Sequence, residues 1–98
     1  INDINEIKDI LNDYLNNYYD ENDDKDTWFN KIKDLSEKFG YAREVKEYKQ
    51  DPEKWPGHVG DISTVIRVAL TGRKNTPDLY EILKNLGTER IQKRFARI

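Results

Sequence analysis

Arg67 and the segment Thr71-Gly72-Arg73-Lys74-Asn75-Thr76-Pro77-Asp78-Leu79 hold the most suggestive chemistry in this sequence. A guanidinium offers a planar fork of donors that matches a phosphate or a base edge. Thr is a good helix N-cap and Pro is pre-organised at the first helical position. The spacing therefore predicts a helix over 76–86, capped by Thr76, with Pro77 in its first turn. Such a start leaves backbone N–H groups and the positive end of the helix dipole free for an anionic or acceptor-rich partner. By physics alone, Thr-Pro-Asp is also simply a well-made helix start. Cations raise the interest of the region. Arg73 and Lys74 lie in the loop, and Arg90, Lys93, Arg94 and Arg97 are expected on the exposed side of the last helix.

Catalysis by this chain alone is not expected. There is no cysteine, which removes thiolate nucleophiles and thiolate metal sites and leans towards a cytoplasmic setting. The single histidine, His58, sits in a Pro/Gly-rich loop without a partner spaced like a nucleophile–base pair, and reads as a hydrogen-bonding loop residue. No Gly-rich phosphate loop is present. The acidic run Asp20 to Asp26 invites a calcium reading. Counted from Asp20, however, the positions that need Gly and a bidentate Glu hold Lys25 and Lys31. A linker whose acids cap the next helix is the better reading, and no metal is expected.

The elements that must position these residues are helical. Ile4, Ile7, Leu11, Tyr14 and Tyr18 form one stripe of a first helix, and Trp28, Ile32, Leu35 and Phe39 form the stripe of a second, stopped by Gly40. Trp28 is expected to pack in the core. A short polar helix follows in Arg43–Gln50, then a loop over 51–61 whose prolines and glycines forbid a continued helix. Ile62, Val65, Ile66, Ala69 and Leu70 face inward from a fourth helix ending near Gly72, with Arg67 projecting beside the following loop. Leu79, Ile82, Leu83 and Leu86 mark the fifth helix. Ile91, Phe95 and Ile98 mark a sixth, capped by Thr88. The expected fold is all-α, one domain over 1–98, with an acidic first helix and linker in 1–26.

The 98 residues suit one core, and a start at Ile1 rather than Met suggests a piece of something longer. The 36% hydrophobic and 37% charged content fits a folded, water-exposed domain rather than a disordered one. No apolar run approaches the roughly 18 residues of a membrane span. The net charge of −2 hides an asymmetry. Residues 1–53 carry 8 Lys/Arg and 15 Asp/Glu, whereas residues 54–98 carry 9 and 4. A polyanion would meet the C-terminal half.

From about Trp28 to Arg97 the sequence resembles the C-terminal end of bacterial glutamyl-tRNA synthetases. The most specific block is Gly57-His58-Val59-Gly60, then Arg67, Ala69-Leu70-Thr71-Gly72, Thr76-Pro77 and Leu86-Gly87. The match is best over 27–98 and weaker in the acidic start. The resemblance implies an α-helical anticodon-binding domain, the second of two in that enzyme, with tRNA-Glu as partner and no DNA or membrane. It implies that ATP, Mg²⁺ and glutamate are ligands of a catalytic domain absent from these residues, and that the third anticodon base is read by a preceding domain. The family residues that approach the first two anticodon bases fall on Arg67, Thr76, Pro77 and Leu79. The family varies between Thr71 and Thr76, so Arg73 and Lys74 join Arg90, Lys93, Arg94 and Arg97 as expected contacts to the RNA backbone. A monomeric, cytoplasmic setting goes with this reading. Two alternatives stand beside it: a DNA-binding helix-turn-helix made of the fourth and fifth helices, and a helical protein-interaction module. Against the first, the fifth helix has only Lys84 as a cation, where a recognition helix presents several base-contacting groups.

Overall fold

Helical periodicity is realised almost throughout. The computed structural model describes all 98 residues as α1 (Ile4–Asp13), continued by a π-helical turn (Tyr14–Tyr18), α2 (Lys25–Lys38), α3 (Val45–Gln50), α4 (Val59–Thr71), α5 (Leu79–Leu86) and α6 (Thr88–Phe95). No strand is formed; Ala42 and His58 make one isolated bridge, in which the Ala42 N–H donates to the Gly57 carbonyl at 3.0 Å.

α2 follows its sequence signals closely. Asp24, within the acidic run, is its N-cap and accepts from the Thr27 N–H at 2.8 Å. Trp28, Ile32 and Leu35 are buried in one row, and Gly40 ends the helix with φ 85°. The first helix departs from its expected stripe. The Tyr19 N–H donates to the Tyr14 carbonyl at 2.8 Å, a five-residue spacing that widens the last turn. Ile10, Leu11 and Tyr14 are buried, whereas Ile4 stands 51% exposed.

α4 starts inside the expected loop, at Val59. His58 is its N-cap: the Gly60 N–H donates to His58 Nδ1 at 2.9 Å, and the His58 N–H donates to Asp61 Oδ2 at 2.9 Å. This explains the Gly57-His58-Val59-Gly60 block. A Cβ on Gly57 would strike the Asp61 carboxylate, and one on Gly60 would strike the His58 ring. His58 is a structural loop residue, as its sequence setting suggested.

Ile62, Ile66 and Leu70 of α4, Leu79 and Leu83 of α5, and Ile91 and Phe95 of α6 join the α1 and α2 residues in one continuous core. α3 buries none of its residues and lies outside that core. Thr88 does not cap α6. It is the first helical residue, and its hydroxyl lies 3.3 Å from Tyr19 Oη instead. Ile98, expected inward, is 37% exposed beyond the last helical turn.

Candidate nucleic-acid interface

The loop between α4 and α5 is anchored at both ends by its own polar groups. Gly72 takes the left-handed conformation, φ 72°, and its N–H donates to the Val68 carbonyl at 2.8 Å. The Thr71 hydroxyl donates to the Arg67 carbonyl at 2.8 Å and accepts the Arg73 N–H at 3.1 Å. Arg73 and Lys74 follow on this anchored backbone, and both are exposed.

α5 starts two residues later than its sequence suggests. Its N-cap is Asp78, whose Oδ1 accepts the Tyr80 N–H at 3.0 Å. Thr76 turns back instead and donates to the Pro77 carbonyl at 2.9 Å, and Pro77 lies outside the helix. Thr and Asp both satisfy a helix start. Asp78 takes the role here because it is also ion-paired to Lys25 of α2. The expected free anion site at this helix end is therefore filled by the protein's own carboxylate. Leu79, the first residue of α5, is 1% exposed, so its side chain is turned into the core and away from any partner.

Arg67 points into a cleft of about 330 Å³ between α2, α4 and the start of α5, bordered by Lys25, Asp26, Phe29, Ser63 and Asp78 and floored by Trp28 and Leu79. Its Nε is buried and has no hydrogen-bond partner. The protein's six ion pairs all leave Arg67 out, and none joins it to the carboxylates of Asp61, Asp78 or Glu81. Buried donors are almost always satisfied in native proteins. Asp13 Oδ2, Tyr14 Oη and Trp28 Nε1 are the other buried side-chain atoms without a hydrogen-bond partner; of the four, only Arg67 Nε belongs to a cation, and its side chain borders the open cleft. Two cations and two carboxylates line that cleft, so it suits a neutral group rich in donors and acceptors better than a phosphate.

Comparison with known proteins fixes the family. Residues 56–98 match the family model described as anticodon binding domain. The glutamate–tRNA ligase of Acetivibrio thermocellus is 48% identical over 96 residues, covering 98% of this chain and 17% of that protein. Those of Sorangium cellulosum and Clostridium perfringens strain SM101 are 49% identical over 79 residues and 42% over 95. They cover 81% and 97% of this chain, and 14% and 17% of their own lengths. The chain belongs to the glutamate–tRNA ligase family, as a domain of its anticodon-binding type. It spans about one sixth of the length of these relatives. No solved structure matches it.

In this member of the ligase family, the basic residues of α6 divide into two groups. Arg90, Lys93 and Arg97 are exposed, Lys93 being paired with Glu89 one turn away at 3.2 Å. Arg94 is turned inward and committed at one nitrogen to the fold. It is half-buried, and its Nη1 donates to the Leu70 carbonyl at 2.6 Å, satisfying the C-terminus of α4. That bond also places α6 beside the loop that carries Arg73 and Lys74. Lys25 and Phe29 are the cleft residues that sequence reasoning missed. They lie in the acidic half of the chain, and no spacing in the sequence links them to Arg67. No group of three or more His, Asp or Glu side chains is placed to hold a metal ion, and no helix is long and apolar enough to cross a membrane.

The Lys25 ammonium that donates to Asp78 holds this carboxyl below the usual carboxylate value, with help from the Tyr80 N–H. A depressed folded pKa stabilises the fold fully above the unfolded value, about 3.9, and that contribution is lost as pH falls through the folded value. The start of α5 should therefore weaken only in acid, below about pH 4. Lys25 is 61% exposed and Asp78 37%, so the pair itself adds little, and the cap dominates. Asp78→Ala should cost about 0.5–2 kcal/mol at neutral pH. Urea midpoints at pH 7 and pH 3.5 check both statements: the penalty should shrink in acid. A penalty independent of pH would assign Asp78's contribution to something other than its carboxylate.

Proposed function

We propose that this chain binds the anticodon loop of tRNA-Glu within a glutamate–tRNA ligase. The observation that carries the reading is the unpartnered Arg67 donor in a charge-balanced cleft next to the 72–78 loop. An RNA loop can splay its bases, and proteins read such bases by stacking and by hydrogen bonds to their edges. Arg67 supplies a two-donor contact to one base edge. Thr76 and exposed Pro77 offer a hydroxyl and an apolar ring to a neighbouring base. Leu79 serves this surface from beneath, as part of the cleft floor, and not by direct side-chain contact. Arg73, Lys74, Arg90, Lys93 and Arg97 act on phosphates and add affinity without sequence choice. ATP-dependent attachment of glutamate, with its Mg²⁺, belongs in this reading to parts of the ligase outside these 98 residues. The setting proposed is a cytoplasmic monomer.

Titration of the chain with tRNA-Glu, an unrelated tRNA and duplex DNA tests the reading. NMR shifts should concentrate on residues 67–79, with tRNA-Glu preferred. If about four phosphate contacts form, affinity should fall with a log–log salt slope near −3. Preference for duplex DNA would favour the helix-turn-helix alternative. Against that alternative, Lys84 of α5 already donates to the Glu21 carbonyl at 2.7 Å, which leaves its helix no free cation. Shifts confined to α1, or none at low salt and high concentration, would sink the proposal.

A further inference from the structure

α2 belongs to the acidic half of the chain, yet one of its exposed residues borders the cleft that holds Arg67. Phe29 follows Trp28 by one position, about 100° round the helix, and so misses the core row. The residue is 39% exposed. An exposed aromatic alone needs no explanation. The setting of Phe29 is more particular. It borders the cleft that holds the unpartnered Arg67 Nε. Its ring lies on the Trp28 ring, with centroids 6.0 Å apart and planes 29° from parallel. Trp28 is itself buried in the core, so the platform is backed by a rigid group and gives up little freedom when something settles on it. Lys33 rests its ammonium 4.9 Å from the Phe29 centroid and pairs with Glu44 at 2.9 Å. The Glu44 side of that pair is 52% exposed and the Lys33 side 18%, so a base reaching this face of the ring has to turn the Lys33 ammonium aside.

We propose that Phe29 is the stacking platform for one unpaired base of the bound RNA loop, the base whose edge meets Arg67. The inference rests on the anticodon-loop reading given above. A base lying against Phe29 reaches over the Trp28–Leu79 floor towards Arg67, with the Ser63 hydroxyl and the Asp26 carboxylate available to its remaining polar atoms. The face is held by an aromatic ring that accepts any base, and the edge by polar groups that do not. Tolerance and choice thus come from two different helices.

The test uses the 98-residue chain and the anticodon stem-loop of tRNA-Glu, with a series of stem-loops in which each loop nucleotide in turn is abasic. Phe29→Ala should weaken binding of the intact stem-loop about tenfold or more. Phe29→Trp should keep the affinity, while Phe29→Leu, which fills the space without a π face, should behave like the Ala variant. For one abasic stem-loop, Phe29→Ala should make no further difference. Unchanged binding by Phe29→Ala, alongside weakened binding by Arg67→Ala, would overturn the platform and leave the anticodon-loop reading intact. An equal loss on every abasic stem-loop would make Phe29 a structural residue and would also overturn it. Failure of the unsubstituted chain to bind the stem-loop would remove the reading and the platform together. Because Phe29 is exposed, the thermal midpoints of the three variants should stay close to that of the parent chain; a Phe29→Leu variant with native stability that bound like the parent would likewise overturn stacking.

Discussion

Arg67→Ala should lower discrimination between the anticodon loop of tRNA-Glu and loops altered at one base by about 1–3 kcal/mol, the range known for a bidentate base contact in DNA readout. It should change folding stability by no more than about 1 kcal/mol, because no ion pair and no Nε hydrogen bond is lost with the guanidinium. What is lost in the fold is the packing of the aliphatic stem. Arg67→Lys should recover little of the discrimination, since an ammonium lacks the planar fork. Competition titrations of the stem-loop against single-base variants at one fixed salt concentration, paired with urea midpoints, measure both quantities. A different pattern would tell against the reader role: several kcal/mol of lost stability, with affinity for every loop falling in proportion. In that case Arg67 would be holding α4 against α2.

The fold was legible where one helix carries its own complete set of signals. The α2 row of Trp28, Ile32 and Leu35 lies between a capping Asp24 and a left-handed Gly40, so period and punctuation agree within a single segment. The start of α5 was less legible for a physical reason. Thr76 and Asp78 are both competent caps, and the choice is made by Lys25, far away in sequence, and by the inward turn of Leu79. Arg94 shows the same limit. Helical period alone puts it on the exposed side of α6, but the packing of α6 beside α4 brings it to the Leu70 carbonyl. The π-helical turn at Tyr14–Tyr18 leaves no mark in the apolar spacing, because it adds a residue to a turn without changing residue types. Of the candidate site, Arg67 and the basic loop could be found from the sequence. The wall made by Lys25 and Phe29 could not, since α2 meets α4 only through tertiary packing.

Leu79→Ala distinguishes a surface reader from a floor. The family resemblance puts Leu79 beside an anticodon base, but the side chain is 1% exposed and belongs to the main core with Trp28 and Leu83. Truncating a buried leucine removes its transfer free energy and leaves a cavity, so the substitution should destabilise the chain by about 2–5 kcal/mol. That is a large fraction of the 5–15 kcal/mol typical of a domain. RNA binding should fall as well, but mainly in step with the unfolded population. It should return when the titration is repeated in a stabilising osmolyte or at a temperature where the variant is folded. Pro77→Ala, at the neighbouring exposed site, should give the opposite pattern: near-native stability with a modest, uniform loss of affinity. Denaturation curves for the two variants, each paired with a stem-loop titration under folded conditions, separate the roles. If Leu79→Ala kept native stability and still lost RNA binding, its side chain would have to face the RNA, and α5 would have to begin in a different register from the one set by Asp78.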